Sequence, residues 1–365
     1  MKKLITLFLA IFMSLSVVGC GNNNESKKNT SSEKKSTVQN NNSSNKNSST
    51  KDNAILKQME EDLTKQLGSL PTKGKNEKIG VLIISLTNPF WVNMKECYEN
   101  AGKNLGITVE VLTGTTEGDK ASQLETLMTM ATKDYDAIIV SPIEGTNLNP
   151  GIVKCNQNGI PVINLGPGVD TEALKKLGGK LDGKITVDFK EQGEMVAKDM
   201  VSRMGGSGEV AILQGLAGAG QSEGRTLGAK EYFQSKKDVK LVATQPCNWD
   251  ANLAFDATKA IIQANPKLKG IFACNDVMAL AATEALKSIG RNDVLVYGVD
   301  FTKDAKASIK EGTMMASVTY SSQVYTKAAL LMAMKAAQGH KLSKAVYSPL
   351  TLVTQDNIKD YENWK

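Results

Sequence analysis

The sequence predicts an α/β protein of two lobes, each a parallel sheet covered on both faces by helices. Three observations predict it. From Lys78 onward, near-continuous apolar runs of strand length alternate with stretches of helical period, the pattern of strands buried on both faces of a parallel sheet. Ten such runs crowd a single doubly wound sheet. The chain, at 365 residues, has room for two domains of ordinary size.

Taken in order, the chain opens on Lys2-Lys3 and an apolar or small run from Leu4 to Val18, ending in Val17-Val18-Gly19-Cys20. The run has the length of a signal-peptide apolar region and is short for a bilayer span of about 20 residues. Its end resembles a lipobox, in which the cysteine is diacylated and the chain cleaved before it. Residues 1–20 therefore read as a lipoprotein signal with Cys20 as the lipidated residue. This places the protein outside the cytoplasm, on the outer face of the cell membrane; the alternative is an ordinary secretory signal with an incidental Cys. Residues 21–53 are almost all Asn, Ser, Lys, Thr and Glu, a composition that cannot offset its own ordering entropy, so they read as a disordered tether. Ile55, Met59, Leu63 and Leu67 then recur at helical spacing, and Gly68 and Pro71 end the helix, giving a tether and short helix over 21–76.

The charge argues against a polyanionic partner. Residues 1–53 hold eight Lys and three acidic residues, +5, while the rest holds 36 basic and 35 acidic residues, +1. The folded part is close to neutral, so no nucleic acid partner is expected. Apart from Cys20, the cysteines are Cys97, Cys155, Cys247 and Cys274, with no C-x-x-C pair, and His340 is the one histidine. That set predicts no metal site and no cofactor, and buried apolar filling for the thiols; a disulfide is compatible with the compartment but does not follow from spacing.

The strand runs are Ile79–Ser85, Thr108–Thr113, Ala137–Pro142, Pro161–Gly166, Lys184–Asp188, Gly208–Gly215, Val239–Pro246, Gly270–Asp276, Val294–Asp300 and Met314–Ser321. Helical stretches such as Gly118–Thr132, Asp188–Met204 and Leu253–Ala264 lie between them. The run near Lys184 is a natural start for a second sheet, giving two Rossmann-like lobes. Ligands in such folds sit beyond the carboxyl ends of the strands, so the strand-end loops are the candidate site.

The first strand ends in Ser-Leu-Thr-Asn88-Pro89-Phe90-Trp91. Asn88 suits a helix cap and Pro89 the first helical position. Two adjacent aromatics there cannot both face the core, so one is expected to look into a cleft; the alternative is packing. Later strand ends carry Asn275-Asp276 and Asp300. Asn and Asp suit sugar hydroxyls, which present donor and acceptor on one atom. For Asn275 and Asp300 the competing reading is helix capping or a structural carboxylate. The glycine-rich stretch Gly215–Gly220 lacks the Lys-Ser/Thr of a phosphate loop and reads as a tight strand-to-helix turn.

The phrases NPFW, AIIVSP, GIPVI, AILQG, IFACNDVMALAATEAL, VYGVD and ASVTYSSQ together resemble, in order and spacing, the ribose-binding protein family: type I periplasmic solute-binding proteins of ABC transporters. The resemblance spans roughly residues 78 to 354. It implies two lobes joined by a three-strand hinge near Val187, Ser321 and Ser348, with an N-terminal lobe of 77–187 plus 321–347 and a C-terminal lobe of 188–320 plus 348–365. It implies ligand contacts from Asn88, Phe90, Trp91, Ser141, Trp249, Asn275, Asp300 and Tyr320, with Gln221 and Glu223 as further candidates, and no catalytic residue. Where sugar binders of the family carry Asp-Arg after the PVI strand, this chain has Gly166-Pro167; where they carry an arginine after the LQG strand, it reads Gln221-Ser222-Glu223, with Arg225 matching a second, less direct arginine. The expected protein is a non-enzymatic, monomeric binder that delivers a small polar solute, a sugar first among them, to a membrane permease. The alternatives are a sensor presenting ligand to a membrane receptor, or a binder of a nucleoside or furanose signal molecule.

Overall fold

A computed structural model of the protein describes residues 43–72, 74, 76–342 and 345–364. The lipidation site at Cys20 and the expected tether from 21 to 42 lie outside the described residues.

A first helix, α1 (Ser43–Leu67), precedes the first sheet. That sheet is laid down by β1 (Lys78–Ile83), β2 (Thr108–Thr113), β3 (Ala137–Val140), β4 (Val162–Leu165) and β5 (Gly183–Thr186). Between them run α2 (Pro89–Leu105), α3 (Lys120–Met130), α4 (Asn149–Gln157) and α5 (Thr171–Lys176). The second lobe alternates α6 (Phe189–Arg203), β6 (Gly208–Gln214), α7 (Gly220–Gln234), β7 (Val239–Pro246) and α8 (Ala251–Ala264). It continues through β8 (Leu268–Ala273), α9 (Asp276–Ser288), β9 (Leu295–Val299), α10 (Lys303–Glu311) and β10 (Ala316–Thr319). The chain then returns with α11 (Ser322–Ala337) and β11 (Val346–Tyr347) to the first lobe, and with β12 (Thr351–Thr354) and a 3-10 turn (Ile358–Tyr361) to the second.

The first sheet has the order β11-β5-β4-β3-β1-β2 with every pair parallel. The second has the order β12-β10-β9-β8-β6-β7 and is parallel except at its edge, where β12 runs against β10. In each sheet the strand order reverses at the first strand laid down, β1 or β6. A crevice opens at such a switch point, beyond the carboxyl ends of the strands. The chain passes between sheets three times, after Thr186, Thr319 and Tyr347. These crossings are tied together: the Ser348 amide donates to Thr186 O at 2.9 Å, and the Tyr325 hydroxyl donates to Ile185 O at 3.2 Å.

Two expectations are corrected here. The run at Lys184–Asp188 does not start the second sheet; β5 pairs with β4 in the first, and Ile185 is fully buried there. The helix expected from Ile55 begins at Ser43, inside the segment read as tether. Helix propagation costs little once a packed turn has nucleated, and Met59, Leu63 and Leu67 supply that turn by burying against the core. Lys335 of α11 is itself buried and donates to the Leu67 carbonyl at 2.6 Å, satisfying an orphan acceptor at the carboxyl end of α1. Gln66 and the Tyr347 backbone exchange two bonds of 2.9 Å, and Lys327 pairs with Glu60.

Helices α6 and α7 pack backbone to backbone. A Cβ on Gly193 would fall 1.9 Å from Arg225 O, and one on Gly228 would fall 1.9 Å from Lys190 O. Only glycine at both positions allows this approach, which fixes where α7 presents its first turns.

Candidate ligand-binding site

Most of the apolar runs read from the sequence overshoot the strands at their carboxyl ends, and the overshoot is where the site lies. On the first lobe, Asn88 has extended backbone and its Oδ1 accepts from the Phe90 amide at 2.9 Å. This cap, with Pro89 in the first turn, starts α2 so that Phe90 and Trp91 come off its first turn. Their rings meet edge to face at 4.9 Å. Phe90 meets Tyr320 at 6.1 Å and Tyr320 meets Tyr325 at 4.8 Å, again edge to face. The four rings form one continuous apolar wall.

The facing wall comes from the second lobe and the first crossing. Trp249 sits in a left-handed turn, with φ of 53° at Asn248 and 67° at Trp249, conformations that non-glycine residues adopt at a cost. The turn holds the indole against the backbone at Gly215. Phe189 opens α6 and lies with its ring centroid 5.7 Å from the Arg225 guanidinium carbon.

The polar groups lie between these walls. Asn275 caps α9 through Oδ1, which accepts from the Met278 amide at 3.0 Å; its Nδ2 is buried without a partner. Gln221, in the first turn of α7, has Oε1 buried and without a donor. Arg225, one turn on, donates from Nε to Gln192 Oε1 at 2.8 Å and from NH1 to Cys274 O at 2.6 Å, and its NH2 lies 3.6 Å from Asp300 Oδ1. Asp300 has φ of 112°, followed by Phe301 at 55°. This strained pair is held from behind by Asp276, whose Oδ2 accepts from the Thr302 amide at 2.7 Å and whose Oδ1 accepts from the Ser317 hydroxyl at 2.8 Å.

Burial pushes the Asp300 carboxyl well above the usual carboxylate range; Arg225 opposes the shift, and Asp276 and Glu117 add to it. Burial raises Asp276 to about 7. Glu117, from the loop after β2, is raised by burial against hydrogen bonds from Ser85 and Asn88; the Ser85 hydroxyl donates to its Oε1 at 2.9 Å.

Together these groups line one cavity at the facing strand ends of the two lobes. Of the residues named from the sequence, the structure brings Asn88, Phe90, Trp91, Trp249, Asn275, Asp300, Tyr320 and Gln221 to this cavity. It does not bring Ser141 or Glu223. The Ser141 amide still donates to Leu82 O, continuing the ladder of β3, and its side chain is buried in the first lobe. Glu223 points outward and its Oε1 accepts from the Gly218 amide at 3.1 Å, closing the glycine-rich turn ahead of α7. Sequence reasoning missed Glu117, Phe189 and Tyr325 and gave Arg225 too small a part. Glu117 and Phe189 follow strand ends, so the strand-end rule carried through every loop would have found them. Cys97, Cys155, Cys247 and Cys274 are buried, and burial lifts the Cys155 and Cys247 thiols to about 12. Among the described residues no group of three His, Cys, Asp or Glu could hold a metal ion, and no helix is long and apolar enough to cross a membrane.

Two parallel-sheet lobes, three crossings and a cavity at the facing strand ends define a ligand-trapping protein of the hinged two-lobe class. The chain belongs to the periplasmic binding protein family: residues 79–341 match its "Periplasmic binding protein domain". It is 36% identical over 240 residues to the D-allose-binding periplasmic protein of Escherichia coli (strain K12), covering 65% of this chain and 77% of that one. It is 30% identical over 288 residues to the ribose import binding protein RbsB of Bacillus subtilis (strain 168), covering 78% and 90%. Among solved structures, the periplasmic solute-binding protein of an ABC transporter from Actinobacillus succinogenes 130z, with bound D-allose, superposes with a TM-score of 0.74 at 31% identity, covering 78% of this chain and all of that one.

Proposed function

We propose that this chain is the extracytoplasmic solute-binding lipoprotein of an ABC importer, which traps a small polyhydroxylated solute, a sugar or polyol, by closing its lobes. One observation carries the reading. The cavity between the two aromatic walls presents a buried donor, Asn275 Nδ2, and a buried acceptor, Gln221 Oε1, that no protein group satisfies. Unmet buried polar atoms cost about 1–3 kcal/mol each, and a ligand with hydroxyls on a ring or chain of carbons answers both them and the rings. The D-allose and ribose names of the relatives support the same class.

The sheet topology supports the following working parts. The lobes are 77–187 plus 321–347 and 188–320 plus 348–365, and the hinge lies at Val187, Ser321 and Ser348. A ligand contacting both lobes favours the closed state by its differential affinity. The protein acts by binding, as a monomer, and releases its ligand unchanged to the permease. Cys20 carries the lipid, which holds the protein at the outer face of the cell membrane; palmitate labelling lost in Cys20→Ser tests that assignment.

A thermal-shift screen of pentoses, hexoses and polyols tests the binding role. A ligand present at 100 times its Kd adds about 2.7 kcal/mol. Asp300→Ala should abolish that gain, and an unchanged shift in the variant would place the site elsewhere.

A further inference from the structure

The charges around the cavity do not balance. Glu117 and Asp300 both line it, one from each lobe, and Arg225 is the lining cation. Arg225 is committed: two of its nitrogens donate to Gln192 and Cys274 O, and the third faces Asp300. Among the described residues, Glu117 receives only neutral donors, Ser85 and Asn88. Among the described residues no Lys or Arg forms an ion pair with it. Glu117 also stands where the cavity meets the outer groove lined by Thr87, Leu216 and Trp249. Like charges disfavour each other's ionised form, and Glu117 is one of the groups that does so at Asp300. Bringing the lobes together with both carboxylates ionised is therefore opposed unless a cation lies between them.

Two further features favour a cation there. Six aromatic rings line the cavity, Phe90, Trp91, Phe189, Trp249, Tyr320 and Tyr325, and ring faces attract desolvated ammonium groups. Gln221 is more than nine-tenths buried and its Oε1 has no donor. An ammonium brings three donors and no acceptor, which suits Gln221 Oε1 and the two carboxylates together and leaves hydroxyl oxygens for Asn275 Nδ2. We infer that the cavity is matched to a polyhydroxylated solute bearing an amino group, an amino sugar or amino polyol, whose ammonium is held by Glu117 with Asp300. The inference rests on the solute-binding reading of this cavity and narrows its chemical class.

Matched pairs differing in charge test it by titration calorimetry at pH 6.5: D-glucosamine with D-glucose, D-galactosamine with D-galactose, and N-methyl-D-glucamine with D-sorbitol, alongside D-allose and D-ribose. At least one amine should bind about tenfold or more tightly than its neutral partner, and Glu117→Gln should bring the ratio within that pair close to one. The wild-type comparison stands even if the variant fails to fold. Neutral members binding as well as or better than every amine would overturn the inference and leave the solute-binding reading intact. Binding of none of these compounds would overturn both.

Discussion

A Cβ placed on Gly215 would lie 2.0 Å from Cη2 of Trp249: the indole rests on bare backbone where β6 ends. The ring is 7% exposed, held from one side by this contact and from the other by the left-handed turn at Asn248-Trp249. Gly215→Ala must therefore displace the ring or the strand end. Overpacking of this kind costs about 1–3 kcal/mol, so the melting temperature should fall. Ligand affinity, read by calorimetry, should drop about tenfold or more as the aromatic wall moves. An alanine variant with wild-type melting and affinity would show that the indole is not part of the wall.

The 3.6 Å approach of Arg225 NH2 to Asp300 Oδ1 joins two side chains that are each 5% exposed. Removing one partner of a buried pair leaves an uncompensated charge, at a cost of about 3–5 kcal/mol. Arg225→Met should lose stability of that order in urea denaturation, and Arg225→Lys should recover little, because an ammonium lacks the fork that reaches Gln192, Cys274 O and Asp300 at once. Adding Asp300→Asn to Arg225→Met should restore part of the loss, a coupling that a double-mutant cycle measures. Strict additivity would refute the pairing.

How far the site was legible in the sequence depended on what fixes each residue. Asn88, Asn275 and Asp300 stand at strand ends beside capping or turn residues, and local rules found them. The two lobes followed from apolar runs whose period does not depend on distant contacts. Arg225 was undervalued because its role depends on the α6–α7 approach at Gly193 and Gly228, a tertiary fact. Ser141 was overvalued because its strand-end position hides that the ladder to Leu82 O continues through it. The edge strands β11 and β12, two and four residues long, are too short to carry a period, and the extent of α1 was hidden by a polar composition that discourages a helix on its own.

Helix α1 belongs to the folded unit and not to a tether. Leu63 is 1% exposed and sits in the main core with Met59 and Leu67. Truncating a buried leucine to alanine costs about 2–5 kcal/mol. Leu63→Ala should lower global stability by that amount in a single cooperative denaturant transition. If the variant unfolds at the wild-type midpoint, α1 packs too weakly to count as part of the fold.

Stability should fall as pH rises through neutrality because of Asp276. Its carboxyl titrates at about 7 in the folded protein, against about 3.9 for an unperturbed Asp. The folded state therefore holds the proton more tightly, and this contribution is complete at low pH and lost as pH rises to 7. Asp300 and Glu117, also raised, act with the same sign. Glu110, Asp119, Asp293 and Glu362 are lowered and act oppositely, gaining stability as pH rises, but that gain is essentially complete by about pH 5. Between about pH 5 and 7 the unfolding free energy should fall with a slope of up to about 1.4 kcal/mol per pH unit for each proton released. Asp276→Asn should flatten that slope. At pH 5 the change should cost little, since the protonated carboxyl, like the amide, accepts from the Thr302 amide through one oxygen and can donate to the Ser317 hydroxyl through its other atom. Urea midpoints for both proteins across this range measure the effect; a slope that is rising, or equal in the two, would mean that Asp276 is ionised in the folded state.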